Sequence, residues 1–195
     1  APKLSDLTAL NGELYFVGPH MFAGMAVYKF VPGAGVQPAI VSTFPQGAEL
    51  EHLRAAADRL FVAAGSSSKE MWTFDAAGTS MLLEVNPDGN ASSQAAPIAA
   101  TDTHIFFTVN RDIDWWTASD GTQQELWVSD GTAAGTRQLL PEAAHYSFYD
   151  RDLRTPATVA TASRACIGQE ELFGARVLVC TDGTARRLRT YRSLA

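Results

Sequence analysis

The chain repeats itself four times, and a repeat limits the possible folds more tightly than any single residue does. The clearest copy runs Glu125-Leu-Trp-Val-Ser-Asp-Gly-Thr-Ala-Ala-Gly-Thr136: an alternating apolar run, a Gly turn, then a second short run. Met71-Trp-Thr-Phe74 before Gly78-Thr79, Val27-Tyr-Lys-Phe30 before Pro32-Gly33, and Val177-Leu-Val-Cys180 before Asp182-Gly183-Thr184 echo it. Another apolar run precedes each copy. Asn11-Gly-Glu-Leu14, Ala57-Asp-Arg-Leu60, Asp102-Thr-His-Ile105 and Ala162-Ser-Arg-Ala165 align. Leu14, Leu60, Ile105 and Ala165 are therefore equivalent, at steps of 46, 45 and 60 residues. Short strands recurring every 40–50 residues or so are the mark of propeller blades.

Each repeat divides into four short strands. The turn signals between them have a mechanism, since the Gly of Asp88-Gly89, Asp130-Gly131 and Asp182-Gly183 takes the positive φ that tight turns need. Little 3.6-residue periodicity is visible, apart from Ala48 to Arg59, whose spacing suits a helical turn. The expected fold is all-β: one domain over residues 1–195, a small β-propeller of four blades, each of four antiparallel strands. The repeats fall at roughly 6–41, 53–85, 97–140 and 157–191. The alternatives are half of a larger ring completed by dimerisation, and a two-sheet β-sandwich, which the repeat disfavours.

The segment Glu125 to Thr136 resembles the bacterial repeat written E-L-W-x-S-D-G-T-x-A-G-T, found in β-propeller-like surface and secreted proteins. The other three copies keep only the apolar alternation and part of the Gly-Thr turn. The resemblance implies a repeat scaffold and no particular activity.

A hydrophobic content of 46% over 195 residues suits one globular domain. No apolar run reaches the ~20 residues of a membrane-spanning helix. The net charge of −6 disfavours nucleic acid as the main partner. Residues 151–195 nevertheless carry eight Arg and four acids, and Arg186, Arg187, Arg189 and Arg192 make the end of the chain locally positive. The start Ala-Pro-Lys, without an initiator Met, is what a processed export product would show.

The two cysteines point the same way. Cys166 aligns with Tyr15, Phe61 and Phe106 on one strand of the repeat, and Cys180 aligns with Phe30, Phe74 and Ser129 on the next. A hairpin between them brings the two nearly opposite each other, at the separation a disulfide needs. Such a bond places the protein outside the cytoplasm, in the periplasm, at the cell surface or secreted.

Blade topology puts the loop between strands two and three on the same face as the link to the next blade, and the unusual residues gather in these segments. They include Pro19-His20-Met21-Phe22, the Ser66–Ser68 loop, the insertion holding Asp112, Asp114, Trp115 and Trp116, and the links Phe44-Pro45-Gln46 and His145-Tyr146-Ser-Phe148-Tyr149. Adjacent Trp115 and Trp116 cannot both enter one sheet core, so an aromatic platform built with His20, Phe22, His145, Tyr146 and Tyr149 is the candidate binding site. Asp112-x-Asp114 has spacing that calcium tolerates but lacks further ligands. Solvated acids are the favoured reading, and no cofactor is expected. His20, Met21 and Met25 offer soft ligands to copper, although packing explains them more simply.

No nucleophile elbow, phosphate loop, dinucleotide fingerprint or zinc-protease helix is present. The expected function is a non-catalytic exported module that shows an aromatic loop face to a protein partner. A lectin-like glycan binder is the alternative, as is an enzyme or metal-dependent module using His20, His145, Asp112 and Asp152 at a channel mouth.

Overall fold

Every repeat folds as a four-stranded antiparallel meander. The computed structural model describes residues 5–30, 39–66, 68–75, 78–83, 94–111, 123–139, 157–170, 176–184 and 189–193. Unit 1 contains β1 (Ser5–Leu10), β2 (Glu13–His20), β3 (Gly24–Phe30) and β4 (Ala39–Phe44). Unit 2 contains β5 (Glu49–Ala56), β6 (Arg59–Gly65), β7 (Lys69–Asp75) and β8 (Gly78–Leu83). Unit 3 contains β9 (Gln94–Ala100), β10 (Ile105–Arg111), β11 (Gln123–Ser129) and the short β12 (Arg137–Gln138). Unit 4 contains β13 (Ala157–Ala160), β14 (Ala165–Glu170), β15 (Arg176–Thr181) and β16 (Arg189–Ser193). Units 2 and 3 join into one sheet through a single parallel bridge, Lys69 to Gln94. No helix long and apolar enough to cross a membrane occurs among the described residues.

The segment set apart for its helix-like spacing is β5. It carries a bulge between Glu51 and Arg54, with His52 at φ 59°. The extra residue shifts the alternation, so that Leu50 and Leu53, three apart, both enter the same core. The segment is thus a bulged strand and not the helical turn expected there. β1 has the same device, with Asp6 at φ 54° in a bulge between Ser5 and Thr8.

The core lies between units. Val17, Val27 and Phe44 of unit 1 meet Leu50, Leu53, Leu60, Val62 and Phe74 of unit 2. Ala56, Phe61 and Met71 of unit 2 meet Ala95, Ile105, Phe107 and Val109 of unit 3. Phe106, Leu126 and Val128 of unit 3 meet Ala165, Ile167 and Val179 of unit 4. Residue parity along each strand explains the pattern: alternate side chains face the preceding unit and the following one. Cross-strand aromatic pairs recur on the backward-facing side, Phe16 stacked on Tyr28 at 5.4 Å and Phe107 on Trp127 at 6.2 Å between ring centroids. The first strands β1, β5, β9 and β13 neighbour one another in that order. Among the described residues, no contact of like extent joins β13 back to β1.

Cys166 and Cys180 form a disulfide across the β14–β15 ladder, where they are direct partners. Their alignment needs one correction. Ala165 pairs with Thr181 as Leu14 pairs with Phe30, Leu60 with Phe74 and Ile105 with Ser129. The residue equivalent to those three is therefore Thr181, while Cys180 takes the place of Lys29, Thr73 and Val128. Likewise Val179, rather than Leu178, stands where the other units have Tyr28, Trp72 and Trp127.

Candidate functional site

One end of the array carries the β2–β3 and β6–β7 hairpin tips together with the β4–β5 link. Close approach at Gly24 holds two of these segments together, since a Cβ there would lie 2.9 Å from the Pro45 carbonyl oxygen. Gly24 also has φ 91°, a conformation that Gly adopts without strain. Lys69 ties in the third segment. Its buried ammonium reaches Glu49 at 3.1 Å and Glu51 at 2.9 Å. Burial works to lower the Lys69 pKa, but the bonds to Glu51 and Glu49 outweigh it and hold the ammonium above its ordinary value. The sequence reading missed this cluster. The signal was a lysine at the start of a strand, with acids on the strand two hairpin arms away.

The β2–β3 tip is the most exposed apolar feature there, with Met21 85% and Phe22 80% exposed. His20 holds its shape, because Nδ1 accepts hydrogen bonds from the Phe22 amide at 3.3 Å and the Ala23 amide at 3.1 Å. The Tyr28 hydroxyl donates to the Pro19 carbonyl oxygen at 2.8 Å and braces the strand below. Phe22 lies edge-on to the His20 ring. His20 Nδ1 is thus engaged by two backbone donors, and Met25 packs on the core between units 1 and 2. Phe44, expected in a link, ends β4 and is buried against Trp72 and Phe74. Trp115, Trp116, Asp112, Asp114, His145, Tyr146, Tyr149 and Asp152 lie outside the described residues. Among the described residues, no group of three or more His, Cys, Asp or Glu is placed to hold a metal ion.

The opposite end repeats a different structure. In unit 3 the Gly131 amide donates to Ser129 Oγ at 2.9 Å, and the Thr132 amide and hydroxyl donate to Asp130 Oδ1 at 2.9 and 2.7 Å. Unit 4 copies this at Thr181, Asp182, Gly183 and Thr184, with distances of 3.0, 2.9 and 2.6 Å. Here the sequence repeat is a repeat of hydrogen bonds. Each turn also touches the unit before it, Gly131 against the Arg59 side chain and Gly183 against His104. Arg137 crosses from unit 3 to the Gly183 carbonyl at 2.6 Å. The neighbouring turns form a ladder, in which the Ala57 amide donates to the Asp102 carbonyl and the Asp102 amide to the Ala162 carbonyl, both at 2.8 Å.

No family model matches this chain. No curated protein matches it either. Among solved structures, it is similar to a β-propeller peptidase from work entitled "Structural and Mechanistic Analysis of Two Prolyl Endopeptidases: Role of Inter-Domain Dynamics in Catalysis and Specificity". The TM-score is 0.58 at 13% identity, over 98% of this chain and 26% of that one. The chain thus spans about a quarter of that structure's length. At this identity the likeness concerns the fold alone.

Proposed function

We propose that the four meanders are blades of a β-propeller and that the protein is an exported, non-catalytic module binding a protein partner through its hairpin-tip end. Support for the propeller comes from side-by-side packing of β1, β5, β9 and β13 and from the likeness to a β-propeller peptidase. On this reading the four units are its blades, in keeping with the bacterial E-L-W-x-S-D-G-T repeat that Glu125 to Thr136 resembles. Export is supported by the Cys166–Cys180 disulfide, a bond that persists in oxidising compartments.

The observation that carries the binding reading is the Met21-Phe22 knob. It is almost wholly exposed, yet His20 and Tyr28 keep its backbone in one shape. A large apolar side chain presented without loss of order is what an interface anchor requires. Trp115, Trp116, His145, Tyr146 and Tyr149 are assigned to the same face from the order of the loops, and no resident cofactor is part of the reading.

A photo-crosslinking residue at Phe22, in the protein expressed by its own host, tests this. The expected product is one specific crosslinked protein, lost when Trp115 and Trp116 are replaced by Ala. Retention on a glycan array without any protein crosslink would favour the lectin reading instead.

A further inference from the structure

We propose that Asn11 is a site of spontaneous deamidation, where the folded protein turns a hairpin residue into aspartate and isoaspartate with water as the only co-reactant. The inference is independent of the propeller and partner-binding readings, because it rests on a single hairpin. β1 and β2 are joined by Asn11-Gly12, a tight turn closed by the pairing of Leu10 with Glu13. Asn11 has φ 52° and Gly12 φ 77°, the two left-handed residues that such a turn needs. Asn11 is also followed by glycine, unlike every other Asn in the chain. Asn86 precedes Pro87, Asn90 precedes Ala91 and Asn110 precedes Arg111.

The reaction needs the Gly12 amide nitrogen to attack Asn11 Cγ. A new C–N bond closes a succinimide ring, the bond from Cγ to the side-chain nitrogen breaks, and that nitrogen leaves as ammonia with the proton from the Gly12 amide. Water then opens the ring at either carbonyl, giving aspartate or a chain routed through the former side chain. Glycine favours the attack, having no Cβ to obstruct it and the widest range of φ. A proline next in sequence has no N–H to lose. Both Asn11 and Gly12 are exposed. That exposure belongs to the position in the repeat, since Asp102 and Thr103 of unit 3 and Ala162 and Ser163 of unit 4 are exposed at the same turn with a unit before them. The turn is also loosely held. Bonds link Ala57 to Asp102 and Asp102 to Ala162, but among the described residues no such bond links Asn11 to Ala57.

The two described Asp-Gly pairs, open to the same chemistry, are guarded. The buried Gly131 and Gly183 amides donate to Ser129 and Thr181, and the Asp130 and Asp182 carboxylates accept from Thr132 and Thr184. Nitrogen and carboxyl are thus held away from each other at both. At Asn11, isoaspartate would add a methylene to the backbone of a turn that has no slack, and the Leu10–Glu13 closure would be lost.

Incubating the native protein in mildly alkaline buffer, then digesting it for mass spectrometry, tests the proposal. The peptide holding Asn11 should gain the mass difference between a hydroxyl and an amino group. Part of it should accept methyl groups from an isoaspartyl carboxyl methyltransferase. Conversion at Asn11 should exceed that at Asn86, Asn90 or Asn110 at least about tenfold, and Gly12→Ala should slow it by a similar factor. Asn11→Ala should abolish it. Both variants should keep the strand content of the wild type by circular dichroism, because unit 2 builds this turn from Ala57 and Asp58 at φ 49° and 56°, and a Cβ on Gly12 meets nothing within 4 Å. Asp130 and Asp182 should form isoaspartate only in urea. Conversion of Asn11 in urea but not in the native protein overturns the proposal, since the fold would then protect the turn. A native rate no faster than at the other Asn residues, or unchanged in Gly12→Ala, overturns it as well.

Discussion

The His104 ring fills the space beside Gly183 of the next unit, where an added Cβ would lie 2.5 Å from His104 Cγ. Arg59 fills the same space beside Gly131 one unit earlier. Gly183 also has φ 93°, a conformation that an L side chain adopts only under strain. Gly183→Ala is therefore expected to destabilise the protein by about 2 kcal/mol, the sum of an unfavourable backbone and a forced shift of the imidazole. Urea unfolding of the variant checks this. The double variant with His104→Ala should recover part of the loss, because only the steric component is relieved.

Asp130 makes the same region sensitive to acid. The Thr132 hydroxyl holds its carboxyl below the usual aspartate range, with smaller help from the Thr132 amide and from His104 and against a push upward from burial. A carboxyl with a depressed pKa contributes stability that is present above the ordinary value of about 3.9 and is lost as pH falls through the folded value. Asp130→Asn is expected to be less stable than the wild type at about pH 6, and the difference should shrink as the pH is lowered below the ordinary aspartate range, as unfolding curves across that range would show.

The disulfide closes a hairpin whose cysteines are 14 residues apart. Replacing both by Ala should cost about 3 kcal/mol in the chain-entropy model, with the loss falling on the unfolding of unit 4. Thiol titration of the denatured, unreduced protein should find no reactive group, since neither cysteine is free.

Met21→Ser with Phe22→Ser should leave the unfolding free energy within about 0.5 kcal/mol of the wild type, because neither side chain belongs to a core. Partner binding, measured by the crosslink or by calorimetry, should weaken by at least about tenfold. A large drop in stability would mean that the knob is packed rather than presented.

Much of this fold was legible because the repeat period survives sequence drift. Equivalence among Leu14, Leu60, Ile105 and Ala165 could be read without any structure, and the ladders keep it. Hairpin register was less legible. Unit 4 lacks the aromatic pair that marks the ladder in units 1 and 3, so its third strand slid by one residue in the reading and Cys180 was matched to Phe30 rather than Lys29. The bulge at His52 was hidden for a related reason, since an inserted residue erases the alternation by which a strand is recognised. At the candidate site, His20 and Phe22 could be placed on a loop from the order of strands in the repeat. Lys69 was not, because what brings it to Glu49 and Glu51 is strand pairing between β5, β6 and β7 rather than nearness in sequence.

Because each core cluster joins only consecutive units, opening is graded along the array. Unit 2 and unit 3 are clamped on both sides, whereas unit 1 and unit 4 are clamped on one. Amide protons in β6 and β10 should therefore exchange with solvent far more slowly than those in β2 and β14. The rhythm of amide exchange along the chain therefore reports how tightly each unit is held between its neighbours.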